Sequence, residues 1–281
     1  MAIAVKEISI AHSPDSDDAF MFYGLATGNV ETYGIKVNQV MKDIQTLNVE
    51  ARQGTYEVTA ISFAAYPEIR NKYALMPTGS SMGQKYGPMV VAKKKLSLSD
   101  LRNTTIAIPG KQTSAYMTLR LVEANLNVIE MPFNQILEAV KDDKVEAGLI
   151  IHEGQLTYSE FGLHKLIDLG EWWFEETGLP LPLGGNAVRK DLGDELMQKA
   201  GRMFRDSVKF SLEHRGEALE YAMAYAGALR KEQADRFVSM YVNNMSVDFG
   251  AVGRKAIKQF FDRAFEQGVI SERIEPEFSN L

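Results

Sequence analysis

The chain has 281 residues, 45% of them hydrophobic and 24% charged, an ordinary globular composition able to bury a sizeable core in one large domain or two. A formal net charge of −6, with no basic run to offset it, argues against non-specific nucleic-acid binding. Cysteine is absent, which excludes disulfides, thiolate metal sites, a cysteine nucleophile and a lipoprotein anchor, and fits a reducing compartment.

Met1 to Ile10 alternates and carries Lys6 and Glu7, a pattern unlike a secretory signal or a transit peptide. No apolar run approaches the roughly 18 residues of a spanning helix, so no membrane partner is expected and the location expected is cytoplasmic. Ile8 to His12 predicts a first strand, followed by the turn Ser13-Pro14-Asp15-Ser16. Asp17 and Asp18 open a helical run over Ala19 to Thr27, closed by Gly28. Val37 to Met41 is a second strand, and Asp43 is the expected N-cap of a helix from Ile44 to Gln53. Val58 to Ile61 is a third strand, running through Ser62 into a further helix. This βα rhythm predicts a largely parallel sheet. Thr78 to Gly87, rich in glycine and serine, reads as a flexible loop, and Met89 to Ala92 as a strand ending at Lys93-Lys94-Lys95.

A second unit repeats the grammar. Thr105 to Ile108 is a strand and Pro109 to Ser114 a turn. Helices at Ala115–Ala124 and Gln135–Lys141 flank a strand at Val128–Met131. Gly148 to Ile151 is a short apolar strand, and Leu163 to Leu169 adds another. Gly178 to Gly185, rich in proline and glycine, suits a return crossing. From Glu195 onward the pattern is helical, in four segments ending near Gln267. The expected class is α/β: two lobes, residues 1–93 with 189–281 and residues 94–188, joined by two crossings, with C-terminal helices on the first lobe and a ligand cleft between lobes.

The most informative stretch is Glu146-Ala147-Gly148-Leu149-Ile150-Ile151-His152-Glu153, in which a buried strand ends abruptly in an imidazole. Ligands of open α/β sheets sit beyond the carboxyl ends of the strands, and histidine titrates near neutral pH. His152 is therefore a candidate base; a histidine that only hydrogen-bonds a loop is the plainer alternative. Pro109 to Ser114 opens a helix whose free amides attract anions, with Thr113 and Ser114 as hydroxyl donors to a carboxylate or as simple helix caps. Ala60-Ile61-Ser62 occupies the corresponding strand end in the first lobe. His12 beside Asp15, Asp17 and Asp18 lacks the glycine and distal glutamate of an EF-hand, and no metal is assigned there. No Walker spacing, dinucleotide fingerprint or nucleophile elbow occurs. His164 and His214 read as structural or solvated, and Trp172-Trp173-Phe174 as packing or the lining of a flat pocket.

Taken together, the chain resembles the 1,4-dihydroxy-6-naphthoate synthase family of the futalosine route to menaquinone. The resemblance rests on Ser13-Pro14 with Asp18 and Phe20-Met21-Phe22-Tyr23, Asp43 with Thr46-Leu47-Asn48, and Ser62-Phe63-Ala64-Ala65-Tyr66. It continues through Gly87 to Ala92, Pro109-Gly110 with Thr113 to Tyr116, Glu146 to Glu153, Leu169-Gly170 with Trp173, Thr177 to Gly184, and Tyr241-Val242-Asn243. It implies a two-lobed fold like type 2 periplasmic binding proteins and no cofactor. It also implies cleavage of cyclic dehypoxanthinylfutalosine to 1,4-dihydroxy-6-naphthoate with loss of a small ketose, dihydroxyacetone. The family's proton acceptor falls on His152, and its substrate-contacting turns fall on Ala60, Ile61 and Ser62 and on Ser114 and Ala115. The substrate so implied is a small molecule with an aromatic carboxylate; no oligomeric state has a signature in the chain. The chain departs from Ser-Pro-Cys-Pro-Asn-Asp in the first loop, having Ser13-Pro14-Asp15-Ser16-Asp17-Asp18 after His12, which bears on substrate choice. A solute-binding protein of the same fold and the sister enzyme chorismate dehydratase are the competing readings.

Overall fold

The computed structural model describes residues 6–227 and 229–280, so the first five residues of the alternating N-terminal stretch lie outside it. The chain begins β1 (Lys6–His12), α1 (Ser16–Ala26), β2 (Ile35–Met41), α2 (Ile44–Ala51), β3 (Val58–Ser62), α3 (Tyr66–Ile69), β4 (Tyr73–Leu75), β5 (Ser81–Gly83) and β6 (Met89–Ala92). It continues with β7 (Thr105–Ile108), α4 (Ser114–Val122), β8 (Asn127–Glu130), α5 (Phe133–Lys141), β9 (Ala147–Ile150), α6 (Gly154–Thr157), β10 (His164–Asp168), α7 (Leu169–Thr177) and β11 (Leu181–Arg189). Helices α8 (Asp194–Glu213), α9 (Arg215–Ala222), α10 (Lys231–Tyr241), α11 (Asn244–Val247) and α12 (Gly250–Glu266) follow.

Two compact units result: Met1–Ser81 with Gly184–Ala251 and Glu275–Leu281, and Met82–Leu183 with Val252–Ile274. The expected division at residue 93 falls too late. Met89 to Ala92 pairs with Ala147 to Ile150 and so belongs to the second sheet, which moves the first passage back to Ser81. The return passage falls at Leu183 rather than 188, and helix α12 adds two more. That helix was expected on the first lobe; its Phe260 instead meets buried Trp173 of the second unit edge to face, with ring centroids 5.6 Å apart.

In the first unit the strand order is β2-β1-β3-β11-β4. β1 runs parallel to β2 and β3, but β11 lies antiparallel between β3 and β4, so the sheet is mixed rather than largely parallel. The segment read as a crossing supplies that strand: α7 ends at Gly178 in the left-handed region (φ 68°), and Leu181 to Arg189 then runs extended. Helix α1 starts where the Asp15 side chain accepts the Asp18 amide, and its apolar face buries Phe20 and Phe22 against Phe204 and Val208 of α8. Helix α2 starts on Asp43, which accepts the Thr46 amide, and packs Leu47 near Ala11 and Ala60. The expected flexible loop at 78–87 begins as a packed segment. Thr78 and Ser80 are buried; Thr78 donates to Ser246 O at 3.1 Å and Ser246 donates to Ser80 O at 2.8 Å. Gly79 is required there, because a Cβ would lie 1.9 Å from Phe204 Cε1.

In the second unit the order is β10-β6-β9-β7-β8. β7 is parallel to β8 and β9, and β6 runs antiparallel between β9 and β10. Its core gathers Val91, Ala107, Ile136, Val140 and Ile150.

Candidate active site

In the first unit, the pairing of Ala11 with Thr59 brings the carboxyl ends of β1 and β3 to one edge of the sheet. Ala60, Ile61 and Ser62 sit there, all buried. Ser62 is held by the last residue of the Thr46-Leu47-Asn48 motif, for which the sequence suggested no role. Asn48 on α2, itself fully buried, accepts the Ser62 amide through Oδ1 at 2.8 Å and donates to Ser62 Oγ through Nδ2 at 3.0 Å. A lone asparagine on the buried face of an otherwise ordinary helix is the signal that could have found that role.

The first loop is a polar network. The His12 ring stacks on Phe22 with centroids 3.9 Å apart. With the Gln39 amide donating to Nε2, Nδ1 keeps its proton and donates it to Ser13 O at 2.8 Å. Both ring nitrogens are thereby engaged, and burial pushes the imidazole down to about 4, so it is neutral. The Asp18 carboxyl moves the other way. Burial first, and then the Asp17 carboxylate beside it, push it up to about 8, against the Ser13 N–H that donates to it at 2.9 Å. Ser13 Oγ donates to Asp15, and Ser81 Oγ donates to Asp17 at 3.1 Å.

In the second unit, β7 and β9 are parallel, with Ala107 beside Gly148, so the chain leaves both strands at the same end. From β7 it enters the turn Pro109 to Thr113 and then α4. Thr113 is the N-cap: its Oγ1 accepts the Tyr116 amide at 3.2 Å and donates to Gly110 O at 2.8 Å. Ser114 Oγ donates to Leu183 O at 2.6 Å. Both hydroxyl protons expected for a carboxylate are therefore committed to carbonyl oxygens. What this end offers an anion is the first-turn amides of α4, at Ser114 and Ala115.

From β9 the chain reaches half-buried His152, whose φ of 57° lies in the left-handed region. That conformation costs a non-glycine residue about 1–2 kcal/mol, and such strain concentrates at functional positions. The Phe133 ring lies against the imidazole. The structure thus gathers Ser114, Ala115 and His152 at one end of the second sheet, and Ala60 to Ser62 at one end of the first. His164 and His214 are exposed, the latter stacked on Phe210. Trp173 is buried with Nε1 donating to Pro180 O at 3.1 Å, a packing role rather than a pocket wall. No helix among the described residues is long and apolar enough to cross a membrane.

An α/β chain of this topology has the periplasmic-binding-protein fold. The alkanesulfonate-binding protein SsuA of Xanthomonas axonopodis superposes with a TM-score of 0.72 at 12% identity, over 98% of each chain. A structural-genomics protein from Archaeoglobus fulgidus is much nearer, with a TM-score of 0.90 and 44% identity over 94% of this chain and 98% of that one. A family model described as menaquinone biosynthesis matches residues 8–266, and the chain belongs to that family. It is also similar to two proteins named 1,4-dihydroxy-6-naphtoate synthase. That of Thermus thermophilus is 38% identical over 98% of this chain and all of its own. That of Streptomyces coelicolor is 35% identical over 95% and 96%.

Proposed function

We propose that this chain is a 1,4-dihydroxy-6-naphthoate synthase, a carbon–carbon lyase that converts cyclic dehypoxanthinylfutalosine to 1,4-dihydroxy-6-naphthoate in the cytoplasm, on the futalosine route. The observation that carries the reading is its end-to-end similarity to two proteins of that name. His152 is the general base. Opening the sugar-derived ring requires removal of protons and cleavage of a carbon–carbon bond, and an imidazole nitrogen that can accept a proton suits the first task. Support for that role comes from its strained backbone at the carboxyl end of β9.

The aromatic carboxylate is held by the amides of Ser114 and Ala115, where the dipole of α4 favours negative charge. Ala60, Ile61 and Ser62 supply further substrate contacts; the Ile61 side chain is fully buried, so its contribution comes from the backbone. No cofactor is needed for this chemistry.

The test is direct. Purified, chelator-treated protein is incubated with cyclic dehypoxanthinylfutalosine, and dihydroxynaphthoate is sought by chromatography. Product from the wild type and its loss in His152→Ala are expected. Turnover of chorismate instead, or tight binding of the substrate unchanged, would overturn the assignment.

A further inference from the structure

Phe133 is a large aromatic side chain that the core does not explain. It opens helix α5 and is half-buried. The apolar cluster of the second unit takes Ile136, Ala139 and Val140 from that helix with Leu137 at its margin, and Phe133 is not among them. Its ring instead meets the His152 imidazole, with centroids 4.6 Å apart and planes at 63°, an edge-to-face arrangement.

The approach is built into the strand. Gly148 lies on β9 beneath α5, and a Cβ there would fall 2.4 Å from Ile136 Cγ2 and 2.9 Å from Val140 Cγ2. Only with glycine at this position does the helix come down this close. Phe133 is one turn before Ile136, on the side of α5 nearest the carboxyl end of β9. One turn after it, Leu137 Cδ1 lies 3.0 Å from where a Cβ on Gly154 would be, so α5 covers the bend that carries His152. The backbone at that bend is fixed by its left-handed φ and by the Gln155 amide donating to His152 O at 3.2 Å. What a ring packed against the imidazole can set is its orientation about the side-chain bonds.

We propose that Phe133 is a positioning residue for His152, its ring restricting the imidazole to the orientation from which it takes the substrate proton. This inference rests on the reading of His152 as the base. A misplacement of about 1 Å in a reacting group costs roughly a hundredfold in rate, so a partial loosening of the ring is expected to cost about tenfold.

The experiment compares Phe133→Leu, which keeps apolar bulk and loses the ring, with Phe133→Tyr, which keeps the ring. His152→Ala serves as reference. Three readouts are taken: kcat and KM for the substrate, the pH profile of kcat/KM, and the proton NMR signal of the His152 ring, identified among four histidines by its absence in His152→Ala. Phe133→Leu is expected to lower kcat about tenfold with KM within about twofold, to move the limb of the pH profile, and to shift the His152 signal as the ring current is lost. Phe133→Tyr restores all three. Wild-type kcat in Phe133→Leu overturns the inference, and so does a lowered kcat with an unmoved pH profile, which marks a purely structural residue. If His152→Ala is fully active, the base assignment itself falls; if it is inactive while Phe133→Leu behaves as wild type, only the inference about Phe133 falls.

Discussion

Asn48 grips Ser62 at two points, accepting its amide proton at 2.8 Å and donating to its hydroxyl oxygen at 3.0 Å. Both side chains are buried, so each bond, if lost, leaves a polar group without water to replace its partner. Asn48→Ala is expected to destabilise the fold by about 1–3 kcal/mol and to raise KM, because Ser62 then samples other orientations at the end of β3. Urea unfolding and steady-state kinetics check the two effects. In a double-mutant cycle with Ser62→Ala, the energies should be non-additive by about 0.5–3 kcal/mol. Strict additivity would mean that the two residues act independently.

The contrast between Asn48 and Ser62 shows what the sequence made legible. Ser62 ends an apolar strand, and the abrupt change from Ile61 to a hydroxyl marks it. Asn48 lies within a helix where its partner is fourteen residues away, and no local periodicity reports such a pairing. The same reasoning covers the strands: Thr105 to Ile108 and Met89 to Ala92 follow directly from their apolar runs. The antiparallel placement of β11 does not, because Gly184 and Gly185 resemble a linker until β3 is present to pair with them. His152 stands out at the end of its strand, whereas its left-handed φ and its contact with the Phe133 ring leave no mark in the local residue pattern.

Stability should depend on pH through two buried groups of opposite sign. His12 has a folded value of about 4 against an ordinary value of 6.5, so between those limits the unfolded chain binds more protons. Its contribution therefore falls as pH drops from about 6.5 to about 4. Asp18 is raised from 3.8 to about 8, so over that span the folded chain binds more protons, and its contribution falls as pH rises from about 4 to about 8. Urea unfolding across this range compares wild type with His12→Asn and Asp18→Asn. Wild type should gain on His12→Asn as pH rises to about 6.5 and lose ground to Asp18→Asn as it rises to about 8. Parallel curves would show that neither group is shifted.

Ser114→Ala separates the hydroxyl from the amide. The hydroxyl donates to Leu183 O at 2.6 Å, a bond whose loss is expected to cost about 1 kcal/mol of stability. The backbone N–H remains, so KM should stay within about threefold of wild type. Thermal unfolding and KM together decide between the roles. A KM raised tenfold or more with unchanged Tm would return the hydroxyl to the substrate.

Gly148→Ala tests whether the approach of α5 to β9 governs the site. The added methyl would lie 2.4 Å from Ile136 Cγ2 and 2.9 Å from Val140 Cγ2, both on fully buried side chains with no room to rotate away. The helix must move outward, at a cost of about 1–3 kcal/mol. Phe133 moves with it, so the His152 ring signal should shift and kcat should fall, although residue 148 lies inside the strand. Gly154→Ala is the matched control. Its methyl meets Leu137 Cδ1 at 3.0 Å, the far end of a half-buried side chain that can turn aside, and little change in stability is expected. Equal effects from both substitutions would show that crowding under α5 in general, rather than the contact at Gly148, sets the position of Phe133.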